Sequence, residues 1–163
     1  MNSRLSSVIL LLAALTATCT HPPKDIDADF DAFLDVYTAI WNEHDGVALS
    51  ALFTTDADLI VGNLPRIDGR EAIGEWWDGY FSRLDNGRKG EFELLSIREI
   101  APGIGLVNIR SKTLGTASVG EVLDTRLARG TWVVVKTDGT WLITSMRALP
   151  AEGEDRFRPG EDR

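Results

Sequence analysis

Five side chains combine an apolar body with a hydrogen-bonding tip at spacings that suit a binding site: Tyr37, Trp41, Trp76, Trp77 and Tyr80. In apolar surroundings a phenol hydroxyl or an indole N–H still seeks a partner, and a ligand can supply one. Tyr37 and Trp41 stand four residues apart, which puts them on one face of a helix. Phe53 lies in the next apolar segment and extends the same candidate pocket. Asn108 and Arg110 alternate with apolar residues along a strand-like segment. An arginine turned inward would require a carboxylate from the protein or from a ligand. Plain packing is the competing reading for the tryptophans. Neighbours on a helix cannot point the same way, so one of Trp76 and Trp77 is expected to face outward or to meet a partner chain.

The remaining chemistry-bearing residues are sparser. His44 sits beside Asp45 at a turn, as a base or as a residue favoured by a helix C-terminus, with Asp45 as a cap. Asp56 and Asp58 are spaced to share one face of a strand, where two carboxylates can do acid–base work, although Asp56 also suits a turn. Arg70 follows Asp68-Gly69 and can serve an anion at a helix start or anchor the helix itself. Arg126 and Arg147 add two more strand arginines. Cys19 is the only cysteine, and the only histidines are His21 and His44. There is no phosphate-binding glycine pattern, no HExxH motif and no cysteine pair, so no metal and no cofactor is expected.

The elements that must position these residues follow from periodicity. Ile26, Phe30, Phe33, Leu34, Tyr37 and Trp41 recur at three- and four-residue steps and predict an amphipathic helix ending near Asn42–Gly46. A second, shorter helix capped by Asp45 would turn Leu49, Leu52 and Phe53 inward. A short strand over 57–61 and a turn at Gly62–Pro65 come next. A third helix is expected from Asp68-Gly69 to about Leu84, stopped by Asp85-Asn86-Gly87. After it the pattern reads as strands over 92–100, 106–113, 122–136 and 141–149, with a D-G hairpin at Asp138-Gly139. Helices first and an antiparallel meander afterwards make an α+β domain over 25–149. A curved sheet under three helices would leave a pocket between the layers.

The flanks read differently. Arg4 precedes an apolar run over 8–15, too short to span a bilayer and suited to a secretory signal. Residues 1–19 are expected to be that signal, with Cys19 resembling a bacterial lipidation site. Ordinary cleavage and an uncleaved anchor are the alternatives. Residues 20–24, with Pro22 and Pro23, read as a linker, and 150–163 as a flexible polar tail. An exported domain of the periplasm or cell envelope is the expectation, touching a membrane only through its N-terminal signal or a lipid anchor. The chain has 163 residues and a net charge of −8. Without a basic face, nucleic acid is excluded as a partner.

The segment Tyr37 to Asp45, then Leu49, Leu52-Phe53, Asp56-Ala57-Asp58 and Gly69-Arg70-Glu71-Ala72-Ile73, resembles the nuclear transport factor 2-like superfamily. Its SnoaL-like and SgcJ/EcaC groups look closest, and the final hairpin around Trp132 and Trp141 fits as well. The resemblance implies a cone-shaped fold, a small-molecule ligand and a homodimer through the sheet face. It does not imply one chemistry, because one fold hosts many functions. Against ketosteroid isomerase, Tyr37 falls on the tyrosine position, but the base position falls near Val61 and the late-strand acid near Thr131. Limonene epoxide hydrolase-like members need acids flanking an arginine, and Arg110 and Arg147 have none beside them. Ligand binding is therefore the first expectation. A small isomerase, cyclase or hydrolase is the second, and an interaction module the third.

Overall fold

The computed structural model describes residues 26–84, 87–116 and 122–151. The expected signal, Cys19, the linker and the tail beyond residue 151 lie outside them, as do Asp85 and Asn86. Among the described residues no helix is long and apolar enough to cross a membrane.

Helix α1 spans Ile26–Glu43 and buries Phe30, Phe33, Leu34, Tyr37 and Trp41, the stripe its periodicity predicts. It ends where His44 takes a left-handed φ of 59°. Asp45 then caps α2, Gly46–Ser50, by accepting from the Ala48 N–H at 2.8 Å. The Gly46 N–H donates to Asp78 of α3, Arg70–Phe81. A Cβ at Gly46 would lie 2.4 Å from the Asp78 carboxylate, so the close approach of α2 and α3 requires glycine there.

Strand β1, Phe53–Val61, is followed by the short β2, Ile67–Asp68. The long strands β3 (Lys89–Ala101), β4 (Ile104–Thr116), β5 (Val122–Thr137) and β6 (Thr140–Pro150) complete one sheet, ordered β2-β1-β6-β5-β4-β3. The meander from β3 to β6 is antiparallel, as expected. β1 pairs parallel to β6, so the sheet is mixed. The fold is the curved, helix-covered α+β cone.

Several boundaries differ from expectation. Leu52 and Phe53 do not belong to the second helix: that helix stops at Ser50, and Phe53 opens β1. The reason is tertiary, since the Leu52 carbonyl accepts from the Ile143 N–H of β6 and draws the chain into the sheet. The third helix ends at Phe81 rather than Leu84. Strand β6 runs through Pro150, and Ala151 still donates to the Leu127 carbonyl, so the ordered domain passes residue 149.

Candidate functional site

The sheet has one face under the helices and one face outside, and alternation assigns every strand residue to one or the other. On β4, Val107 and Ile109 are buried, and Ser111 and Thr113 continue that phase inward. β5 contributes Arg126, Ala128, Gly130 and Trp132 at the same period, and β6 contributes Met146, Ala148 and Pro150. The registers place Ile109, Gly130 and Ala148 side by side across three strands, with Ser111 beside Ala128. Small side chains thus meet where a filled core would carry large ones. The result is a cavity of about 250 Å³ between the sheet, α1 and α3.

Helix α1 roofs this cavity with Tyr37 and Trp41, and α3 with Trp76, Trp77 and Tyr80. Tyr37 is 1% exposed, its ring 5.0 Å from Phe92 and 4.9 Å from Trp132. Burial, with the nearby Tyr80 as a smaller cause, pushes the Tyr37 hydroxyl well above the ordinary tyrosine pKa. It is a neutral donor at any physiological pH. Burial also raises Tyr80, while Arg126, Arg88 and Arg83 pull it back. Trp76 stacks on Tyr80 at 5.5 Å and Trp77 on Phe81 at 5.5 Å. The Trp77 Nε1 is buried and has no hydrogen-bond partner among the described residues. No carboxylate and no imidazole lines the cavity among the described residues.

A profile of the SnoaL-like domain matches residues 31–148. The chain belongs to the SnoaL-like family. No curated protein matches its sequence significantly. Among solved structures, ActVI-ORFA from Streptomyces coelicolor is similar at 16% identity and a TM-score of 0.71, covering 77% of this SnoaL-like chain and 98% of its own. A nuclear transport factor 2-like protein with a cystatin-like fold from Novosphingobium aromaticivorans gives 19% and 0.66, covering 79% and 84%. A ketosteroid isomerase-like protein from Erwinia carotovora atroseptica gives 17% and 0.66, covering 79% and 98%. At these identities the likeness establishes the cystatin-like fold.

Of the eight residues singled out from the sequence, the SnoaL-like domain brings Tyr37, Trp41, Trp76, Trp77 and Tyr80 together around the cavity. Both tryptophans of the pair reach it, Trp77 from the buried side of α3 and Trp76 from the less buried side. Neither turns away, since both line the cavity. Phe53 is elsewhere: it is fully buried at the start of β1, and its carbonyl accepts from Arg70 Nε at 2.7 Å. Arg70 is thus the anchor of α3. Asn108 and Arg110 are on the outer face, because Val107 and Ile109 take the inward phase of β4. There Asn108 donates to Ser96 at 3.0 Å and accepts from Thr131 at 3.1 Å, and Arg110 pairs with Glu93 at 3.1 Å.

The other candidates are also engaged elsewhere. His44 Nε2 donates to the Arg88 carbonyl at 2.9 Å, and its ring stacks on Phe81. Asp58 is bound by Arg147 on the outer face, so it forms no carboxylate pair with the exposed Asp56. Burial pushes Asp58 upward, but hydrogen bonds from Arg147 and Ser145 outweigh it and leave the carboxyl below its ordinary pKa. Sequence reasoning left the small inward residues Ala128, Gly130 and Ala148 out of the site. Their signal was present: small residues recur at a period of two beside Trp132 and Met146 on strands otherwise rich in large apolar residues.

Proposed function

We propose that this SnoaL-like domain binds one small, largely apolar ring compound between α1, α3 and the sheet, in the manner of the SgcJ/EcaC group. The observation that carries this reading is the cavity: aromatic rings on the helix side, small side chains on the sheet side. Its volume of about 250 Å³ lies just below the roughly 300–1,000 Å³ of drug-sized sites, which favours a ligand of one or two rings. Moving such a ligand out of water contributes about 25 cal/mol per Å² of apolar surface, and Tyr37 supplies a protonated donor for orientation. Binding is favoured over acid–base catalysis because Tyr37 stays protonated and has no carboxylate or imidazole beside it in the described walls.

The test is a thermal-shift search with small ring compounds on the full chain and on Ala148→Phe, whose ring would occupy the cavity. A ligand at a hundred times its Kd stabilises by about 2.7 kcal/mol, a shift of several degrees for a domain of this size. The reading expects that shift in the wild type and its loss in the variant. Equal shifts in both, or none in either, would refute it.

Export is part of the same proposal. The apolar run over 8–15 and Cys19 support a domain tethered at the cell envelope. Mass spectrometry of the mature N-terminus tests it, and a free N-terminus beyond residue 19 would exclude lipidation. Pairing of two copies through the outer sheet face completes the proposal, and sedimentation equilibrium measures it.

A further inference from the structure

Resting on that reading, we infer that Trp132 decides which ring compounds the cavity holds: its indole N–H, lying over Gly130 on the cavity floor, takes a ligand that carries a hydrogen-bond acceptor there. Gly130 and Trp132 stand two residues apart on β5, so both face the helices, and both line the cavity. A Cβ built on Gly130 would lie 2.8 Å from the Trp132 Nε1 and 3.5 Å from its Cδ1. The indole therefore leans back along the strand and lays its N–H edge where a side chain at 130 would stand. Gly130 is not among the glycines with a left-handed φ. Its backbone does not call for glycine, and the space that the indole edge occupies does.

Around that N–H the floor is apolar. Ile109 flanks Gly130 on β4 and Ala148 flanks it on β6, and neither side chain has a polar atom. Trp132 is 2% exposed, and among the described residues no hydrogen bond engages its Nε1. A donor so placed costs free energy until an acceptor meets it. The described lining holds no carboxylate, carboxamide or imidazole to serve as one. From the helix side the protonated Tyr37 hydroxyl also donates, and the Trp77 Nε1 is buried without a partner among the described residues. Arg126 is already engaged, so the free donor on the floor is the Trp132 N–H. A ligand edge with a ring nitrogen or a carbonyl oxygen answers it, whereas one that presents an N–H or O–H meets another donor. Such a wall discriminates by the acceptor rather than by the outline of the ring.

The experiment titrates quinoline and naphthalene, probes of one shape that differ by a single ring nitrogen, into the full chain and into Trp132→Phe at neutral pH. Phenylalanine keeps an apolar ring and removes the N–H. 1-Naphthamide against naphthalene repeats the comparison for a carbonyl oxygen. In Trp132→Phe the affinity for quinoline or 1-naphthamide, taken relative to naphthalene, is expected to fall about fivefold, the factor that one neutral hydrogen bond supplies. Taking the ratio removes the change in packing that the substitution itself brings. A fall with quinoline identifies a ring nitrogen as the acceptor, and a fall with 1-naphthamide identifies a carbonyl. Gly130→Ala, whose Cβ would displace the indole edge, should give the same fall and serves where Trp132→Phe does not fold. Ratios that stay level would overturn the acceptor assignment and leave the apolar site standing, because the probes still bind. Binding of none of the three to the wild type would overturn both.

Discussion

The two faces of the sheet are made from the same strands, yet they treat polar groups in opposite ways. Outside, polar side chains answer one another across the strands: Ser96, Asn108 and Thr131 form a run over β3, β4 and β5, and Arg147 holds Asp58 across β6 and β1. Glu93 meets Arg110, and Glu91 meets Lys112. Inside, one residue along, large rings alternate with alanine and glycine, and the Trp77 N–H is left without a partner among the described residues. The outer face thus joins its polar groups to one another across the strands. The inner face, with space left between large and small side chains, is the one that can take a ligand.

Five substitutions break or sharpen that contrast. The largest effect is expected at Trp132, 2% exposed against Tyr37. Trp132→Ala should cost about 3–5 kcal/mol in denaturant unfolding, whereas Thr131→Ala, one residue away and facing out, should cost about 1 kcal/mol or less. Next comes Ala148→Phe, which should weaken 1-naphthamide binding at least tenfold while the melting temperature holds or rises, because it fills space rather than opening it. Asp58→Asn is smaller, about 1 kcal/mol at neutral pH, and its cost depends on pH. Because the folded pKa of Asp58 is held below the ordinary 3.8, its stabilisation is present above that value and fades as pH falls through the folded one. The gap between wild type and variant should therefore narrow as pH falls below the ordinary 3.8. The smallest effect is Lys112→Ala: its pair with Glu91 spans 3.8 Å between exposed side chains, so unfolding should change by less than about 0.5 kcal/mol.

Much of this architecture is written in local periodicity. The stripe from Ile26 to Trp41 fixes α1, and the meander of four long strands follows from alternation and the Asp138-Gly139 turn. What escapes a linear reading is contact between distant segments. The parallel pairing of β1 with β6 joins residues about ninety positions apart, and nothing in 53–61 alone announces it. Leu52 and Phe53 read as helix because their apolar spacing suits either element, and only the bond from Ile143 decides. The misplacement of Asn108 and Arg110 has another cause. Alternation separates them correctly from Val107 and Ile109, and the apolar set must be the one under the helices, so the polar set faces out. The cavity was half legible: its aromatic roof lies on helices with clear stripes, while its floor is defined by residues notable for being small.

The five tryptophans test the central claim directly. Trp41, Trp76, Trp77 and Trp132 line the cavity, while Trp141 lies apart with its Nε1 donating to Asp29 at 3.0 Å. In an ¹H–¹⁵N spectrum of the indole groups during titration with 1-naphthamide, the four cavity signals should move together and saturate while that of Trp141 stays in place. Signals that all remain still, or a Trp141 signal that moves as far as the others, would contradict a ligand site between the helices and the sheet.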